Sequence, residues 1–224
     1  WPYILEGKNS LEIDFAYQSF KWQNNAKYNA GVVVVVIGVR NISNKAKYLY
    51  QSNLKHEVKN INAYLINSDD IFIQKRSKPL SKLSEMNFGS MPNDGGYLLL
   101  SSDEKNRILY EYPNAKKIIK RFMGSQEFIK GQEKYCLWIN NESKDLAFSI
   151  APIRSRIEKC RLQREGSKRK ATKKLTRTPY KFAEIRHKDA TSIIVPSVSS
   201  DNRKYVPVGF LNKDTVISNL GLAI

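Results

Sequence analysis

The stretch Pro179 to Lys188, PYKFAEIRHK, sets a single carboxylate, Glu184, among Lys181, Arg186 and Lys188. Arginine carries a rigid fork of donors, and an ionised carboxylate carries only acceptors. That combination can read base edges: Arg donates two bonds to guanine, and Glu accepts one from the amino group of cytosine. In an extended chain alternate side chains share a face. Phe182, Glu184, Arg186 and Lys188 then point one way, and Ala183, Ile185 and His187 the other. The same spacing also permits a plain Glu184–Arg186 ion pair, which composition alone favours.

This stretch lies in the most basic part of the chain. From Pro152 to Lys188 there are fourteen basic residues against three acidic ones, Glu158, Glu165 and Glu184. Over all 224 residues, 38 Lys and Arg face 21 Asp and Glu, a net charge of +17. A field of one sign with little internal compensation attracts polyanions. Nucleic acid is the first expectation, with Lys168, Arg169, Lys170, Lys173, Lys174 and Arg177 on its phosphates. An anionic membrane and an acidic protein come next, and a merely solvated face is the bland alternative. Phosphate contacts position a protein without reading sequence, so the two stretches would divide the labour.

A third group lies in Ser19 to Arg40, SFKWQNNAKYNAGVVVVVIGVR. Phe20 and Trp22 stand with Lys21, Asn24 and Asn25 directly before five valines. Aromatic faces can replace the stacking that a base loses on leaving a duplex. Packing at a sheet edge is the alternative.

Other chemistry is excluded by what is missing. No Gly-rich phosphate loop, no G-x-S-x-G elbow and no H-E-x-x-H pair occurs. Cys136, Cys160, His56 and His187 share no metal-ligand spacing, so no metal is expected. Asp69 and Asp70 are adjacent and would face opposite ways in a strand. No catalytic residue is assigned, and the chain by itself is expected to be inactive. Two unpaired thiols and the lack of a signal-peptide pattern suit a cytoplasmic location. The longest apolar run, Gly31 to Val39, falls short of the roughly 20 residues that a membrane span needs. The chain opens on Trp1 rather than Met, and we expect it to be a piece of a longer polypeptide.

The elements that must position these groups read as a mixed α+β fold of short strands and helical segments. Leu11 to Tyr17 alternates like a strand. Gly31 to Val39, without alternation, is expected to be a central strand buried on both faces. Residues 41 to 60 are polar and interrupted, and are expected to be a connection at a domain boundary. Ser101 or Ser102 caps a helix through Tyr110, stopped by Pro113. Ala115 to Phe122 reads as a second short helix, and Phe128 to Ile139 as a hairpin around Lys130-Gly131. Pro152 opens the longest helical pattern, with Ile153, Ile157 and Cys160 on one face and a break at Gly166. Lys181 to Arg186, Ile193 to Val195 and Tyr205 to Phe210 are expected strands.

These blocks, in their order, resemble one family. FAYQSFKWQNNAKYNAGVVVVVIG is similar to the last strands of an N6-adenine DNA methyltransferase. INAYLI, RSKPLS, MPNDGG, FIKGQEKYCLWI, TPYKFAEIR and VPSVSSDNRKYVPVGF resemble successive blocks of a target recognition domain. The combination is that of fused type II restriction-and-modification enzymes, in which one polypeptide carries nuclease, methyltransferase and specificity domain.

The resemblance implies several things. Residues 1–55 would supply the edge strands of a Rossmann-like methyltransferase sheet, and residues 56–224 the target recognition domain. The partners would be double-stranded DNA and the upstream methyltransferase domain. The methyl donor of the intact enzyme would be S-adenosylmethionine, acting on adenine N6. The donor site and the Asn-Pro-Pro-aromatic motif would lie upstream of Trp1, leaving no cofactor in this chain. Phe20, with Trp22 beside it, would stack on the flipped adenine. Glu184, Arg186 and Lys188 would read bases. Lys78 and Arg203 would join Lys21, Asn24, Asn25 and the basic stretch on the DNA backbone. A sequence-independent RNA or single-strand binder, stacking bases on Phe20, Trp22 and Tyr205, is the rival reading.

Overall fold

A computed structural model of the chain describes residues 1–7, 10–22, 32–52, 54–76, 78–80, 82, 84–200 and 203–224. The chain divides into two compact units, Trp1–Ser77 and Lys78–Ile224. Each is a mixed α/β assembly of small sheets and few helices.

The first unit opens with a short helix, α1 (Pro2–Leu5), followed by four strands: β1 (Leu11–Lys21), β2 (Val33–Asn41), β3 (Lys47–Gln51) and β4 (Leu54–Val58). They form one sheet in the order β2-β1-β3-β4. β1 runs antiparallel to β2 and parallel to β3. Ile13, Ala16 and Leu49 of the sheet close over Ile61 and Leu65, so the compact unit extends to Ser77. The ring of Phe15 packs against Gly38, where a Cβ would sit 2.2 Å from the ring.

Two expectations fail here. Residues 41 to 60 are not a polar connection, because β3 and β4 form a hairpin through them and Leu49 is buried. The valine strand is present as β2, but it is the edge strand with β1 as its neighbour. Val33, Val35 and Val36 are 60%, 44% and 42% exposed. A run of β-branched residues dictates extended backbone; burial depends on what covers it, and no other described strand pairs with β2.

The second unit holds two four-stranded sheets. One has the order β10-β9-β12-β5, from β5 (Asn87–Phe88), β9 (Ser192–Pro196), β10 (Gly209–Leu211) and β12 (Gly221–Ala223). The other has the order β11-β7-β8-β6, from β6 (Leu99–Leu100), β7 (Ile119–Met123), β8 (Tyr135–Leu137) and β11 (Thr215–Ile217). Against the second sheet pack α2 (Ser102–Glu111), α4 (Lys144–Ser149) and α5 (Ala151–Glu165), burying Leu98, Ile108, Ile118, Phe122, Leu137, Ile153, Ile157 and Val216 in one core. α2 begins in a capping box: Glu104 N–H donates to Ser101 Oγ, and Ser101 N–H donates to the Glu104 carboxylate. After α5 come α6 (Lys170–Lys174) and a 3-10 turn at Leu175–Arg177.

Four further expectations are corrected. Ala115 to Phe122 is not an α-helix but a 3-10 turn, Pro113–Ile118, running into β7. Long-range pairing decides it, because β7 ladders with β8 and β11. Phe128 to Ile139 is not a hairpin. It begins inside α3 (Ser125–Lys130), Gly131 is the left-handed residue that ends that helix (φ 64°), and β8 follows. Of Tyr205 to Phe210, only the last two residues enter a strand, β10. Lys181 to Arg186 is not a strand either, for reasons that belong to the site.

Candidate nucleic-acid interface

The segment 179–188 runs beside Ser90–Asn93 in the second unit without forming a ladder. Glu184 and Met91 exchange both backbone hydrogen bonds, each at 3.0 Å, in an isolated bridge. On either side, side chains take the place of a partner strand. Arg164 donates to the carbonyls of Lys181 and Pro92, both at 2.8 Å, and to that of Thr178 at 3.1 Å. The Ser90 hydroxyl accepts from the N–H groups of Arg186 and His187, both at 3.0 Å. Backbone groups must be satisfied by something. Here two side chains satisfy most of them and Ala183 N–H donates to the Pro92 carbonyl at 3.3 Å, so the regular strand expected from residue alternation does not form.

The faces differ accordingly. Phe182 is buried and meets Trp138 and Phe122 edge to face at 5.2 and 5.8 Å between ring centres. It does not share a face with Arg186. His187 meets the edge of Trp138 at 5.4 Å, and its Nε2 lies 3.4 Å from Lys120 Nζ. Burial, reinforced by the Lys120 charge, holds the His187 imidazole below its usual pKa. Arg186, Lys188 and Ile185 are exposed. Arg186 pairs with Glu184, the ion pair that composition favoured, and both side chains remain about 40% exposed, at 42% and 41%. A pair of that exposure contributes little stability, so both groups stay available to another partner. Beside them opens a cavity of about 660 Å³, lined in part by Asn87, Phe88, Arg186, His187, Lys188 and Ile224.

The basic stretch separates into structural and exposed charges. Within α5, Arg156 donates to Glu104 and to the Tyr97 carbonyl, each at 2.8 Å. Arg161 pairs with Glu158 and Glu165 on the helix surface. Arg164 is fully buried. Arg154 and Lys159 are exposed on the helix, and the rest of the excess lies after it. Lys168, Arg169, Lys170, Lys173, Lys174 and Arg177 are all exposed and form no ion pair with described residues. Lys78 and Arg203 are exposed as well.

In the first unit, Phe20 and Lys21 pair with Val34 and Val33 at the end of β1, after a bulge that follows Tyr17. Trp22 N–H closes the ladder on the Val32 carbonyl at 2.8 Å. Phe20 is 38% and Trp22 51% exposed. Both lie at the open end of the β1–β2 pair. Lys21 is exposed beside them. Asn24 and Asn25 lie outside the described residues.

Among the described residues no three His, Cys, Asp or Glu groups gather to hold a metal. Both thiols are buried, which pushes Cys160 up to about 11 and Cys136 further still. Among the same residues no helix is long and apolar enough to cross a membrane. Ser90 and the structural role of Arg164 are not legible in the sequence. A serine in GSMP and an arginine among arginines carry no local signal.

Two family models match the chain. The MmeI target recognition domain covers residues 67–224, and the MmeI DNA-methyltransferase domain covers residues 1–51. A curated relative from Bacillus subtilis (strain 168), DNA methyltransferase A, is 44% identical over 214 residues, which is 95% of this chain and 24% of that protein. A solved structure of the type IIL restriction-modification enzyme MmeI in complex with DNA is similar with a TM-score of 0.80 and 34% identity. It covers 96% of this chain and 29% of that one. The chain thus spans about a quarter of the length of the relatives it matches. On these matches the chain belongs to the MmeI family, with a target recognition domain preceded by a segment of the family's DNA-methyltransferase domain.

Proposed function

We propose that this chain is the sequence-reading module of a restriction-modification enzyme that methylates adenine N6 in double-stranded DNA. S-adenosylmethionine would be bound by the part of the methyltransferase domain upstream. Residues 1–55 contribute the edge strands of a Rossmann-like sheet, with the exposed valines of β2 lying against the rest of that domain. Residues 56–224 recognise the target. Phe20, with Trp22, stacks on the adenine after it leaves the duplex, where a π-face offsets the few kcal/mol lost on unstacking. Lys21, Asn24 and Asn25 hold the distorted strand.

The observation that carries the proposal is the presentation of Arg186 and Glu184. The two side chains pair with each other, 42% and 41% exposed, with the Arg186 guanidinium also 3.4 Å from the Gly89 carbonyl, on a backbone held at Lys181, Glu184, Arg186 and His187. A fixed donor fork and a fixed acceptor are what direct readout requires. Lys188 reads bases beside them, while six exposed cations on and around α6 supply sequence-independent contacts to phosphate, and Lys78 and Arg203 extend them. Replacing Arg186 by Ala tests this. Affinity for the specific site should fall by ~1–3 kcal/mol and preference at one base pair should relax. Equal losses on specific and random DNA would contradict base reading.

A further inference from the structure

We propose that Ser90 is a positioning residue for sequence discrimination, its buried hydroxyl fixing the backbone from which Arg186 projects. The inference rests on Arg186 reading bases. Ser90 is fully buried. Its Oγ accepts from the N–H groups of both Arg186 and His187, which uses both lone pairs of a hydroxyl oxygen. Ser90 is itself held through its main chain. Its N–H donates to the Ile217 carbonyl at 2.7 Å, and its carbonyl accepts from Asn219 N–H at 3.0 Å. Gly89 permits that depth: a Cβ there would sit 2.3 and 2.4 Å from the carbonyl oxygens of Ile217 and Ser218. The hydroxyl therefore refers Arg186 to the end of β11, at the heart of the unit.

Glu184 and Arg186 are anchored differently. Glu184 is held by the main chain of Met91, which a side-chain substitution leaves in place. The N–H of Arg186 is held by the Ser90 side chain. Ser90→Ala deletes that anchor and adds no bulk. A guanidinium reading a base is sensitive to displacement, because bidentate geometry is demanding. A cation on a phosphate tolerates far more.

The test uses the full-length polypeptide, with three variants: Ser90→Ala, Arg186→Ala and the double substitution. Binding is measured on the preferred duplex, on duplexes altered at single positions, and on random duplex. Arg186→Ala should lower discrimination at one position by roughly 5- to 150-fold, the value of one good bidentate contact. Ser90→Ala should lower discrimination at that same position by about tenfold or more, on the same scale, with random-duplex affinity unchanged. The double variant should discriminate no worse than Arg186→Ala alone, since a positioning residue has nothing left to position. Amide hydrogen exchange at Arg186 and His187 should quicken in Ser90→Ala. If Ser90→Ala does not fold, Ser90→Cys fills nearly the same volume with a much weaker acceptor and serves the same comparison. Wild-type discrimination in Ser90→Ala beside a relaxed Arg186→Ala overturns the positioning role, as does a double variant showing additive losses. Unchanged discrimination in Arg186→Ala overturns base reading and the inference with it.

Discussion

The Arg164 guanidinium donates to the Lys181 carbonyl at 2.8 Å, joining the last turn of α5 to the start of the reading segment. The same group also holds the carbonyls of Pro92, Asn93, Leu175 and Thr178. One side chain thus gathers the MPNDGG loop, the end of the basic arm and the reading segment.

Removing Arg164 should therefore be costly. Five carbonyls lose a donor; those of Pro92, Leu175 and Thr178 keep a backbone N–H, while those of Asn93 and Lys181 depend on the guanidinium, and each buried unsatisfied group costs about 1–3 kcal/mol. Arg164→Ala should destabilise the second unit by at least ~3 kcal/mol, read from denaturant midpoints. Arg164→Lys should recover only part of this, because an ammonium has three donors and no planar fork.

Lys173 is exposed and unpaired with described residues, and is read as a phosphate contact. Lys173→Ala should weaken binding to every duplex alike and flatten the dependence of log affinity on log salt by about one unit. A selective loss on the preferred site would reassign it to base reading.

His187 gives the second unit a pH dependence of definite sign. Burial and the Lys120 charge lower its folded pKa. The unfolded chain then takes up a proton at higher pH than the folded one. The stabilising contribution is complete above the ordinary histidine value of about 6.5 and is lost as pH falls from there towards the folded pKa. Denaturation midpoints should drop as pH falls below about 6.5 in the wild type, and drop less in His187→Gln.

Phe20 should matter to the flipped base and not to recognition. In the full-length enzyme, with 2-aminopurine at the target adenine, Phe20→Ala should lose stacking worth about 1–3 kcal/mol per base. The fluorescence of the extrahelical base should change while the order of preference among duplexes stays the same. A changed preference would contradict the assignment.

Local signals made some of this fold legible. Pro152 and the Ile153, Ile157, Cys160 spacing give α5, and Ser101 with Glu104 gives the start of α2. The exposure of Arg186, Lys188 and the 168–177 cations follows from composition. The rest depends on partners far along the chain. KKIIKRFM suits a helix or a strand equally, and pairing with Tyr135–Leu137 and Thr215–Ile217 decides it. Gly131 fits a hairpin turn and a helix cap alike. The valine run fixes an extended backbone but not what covers it. Arg164 looks in sequence like one more solvated charge, and Ser90 like a loop serine. Their roles exist only once the chain is folded around them.

Sequence reading is tested most directly by selection: mix the full-length polypeptide with random duplex DNA at roughly physiological salt, where nonspecific contacts weaken, and sequence what remains bound. A target recognition domain should enrich one short motif, and Arg186→Ala should blur a single position of it. Bound duplex without any enriched motif, or a preference for single strands, would contradict the assignment.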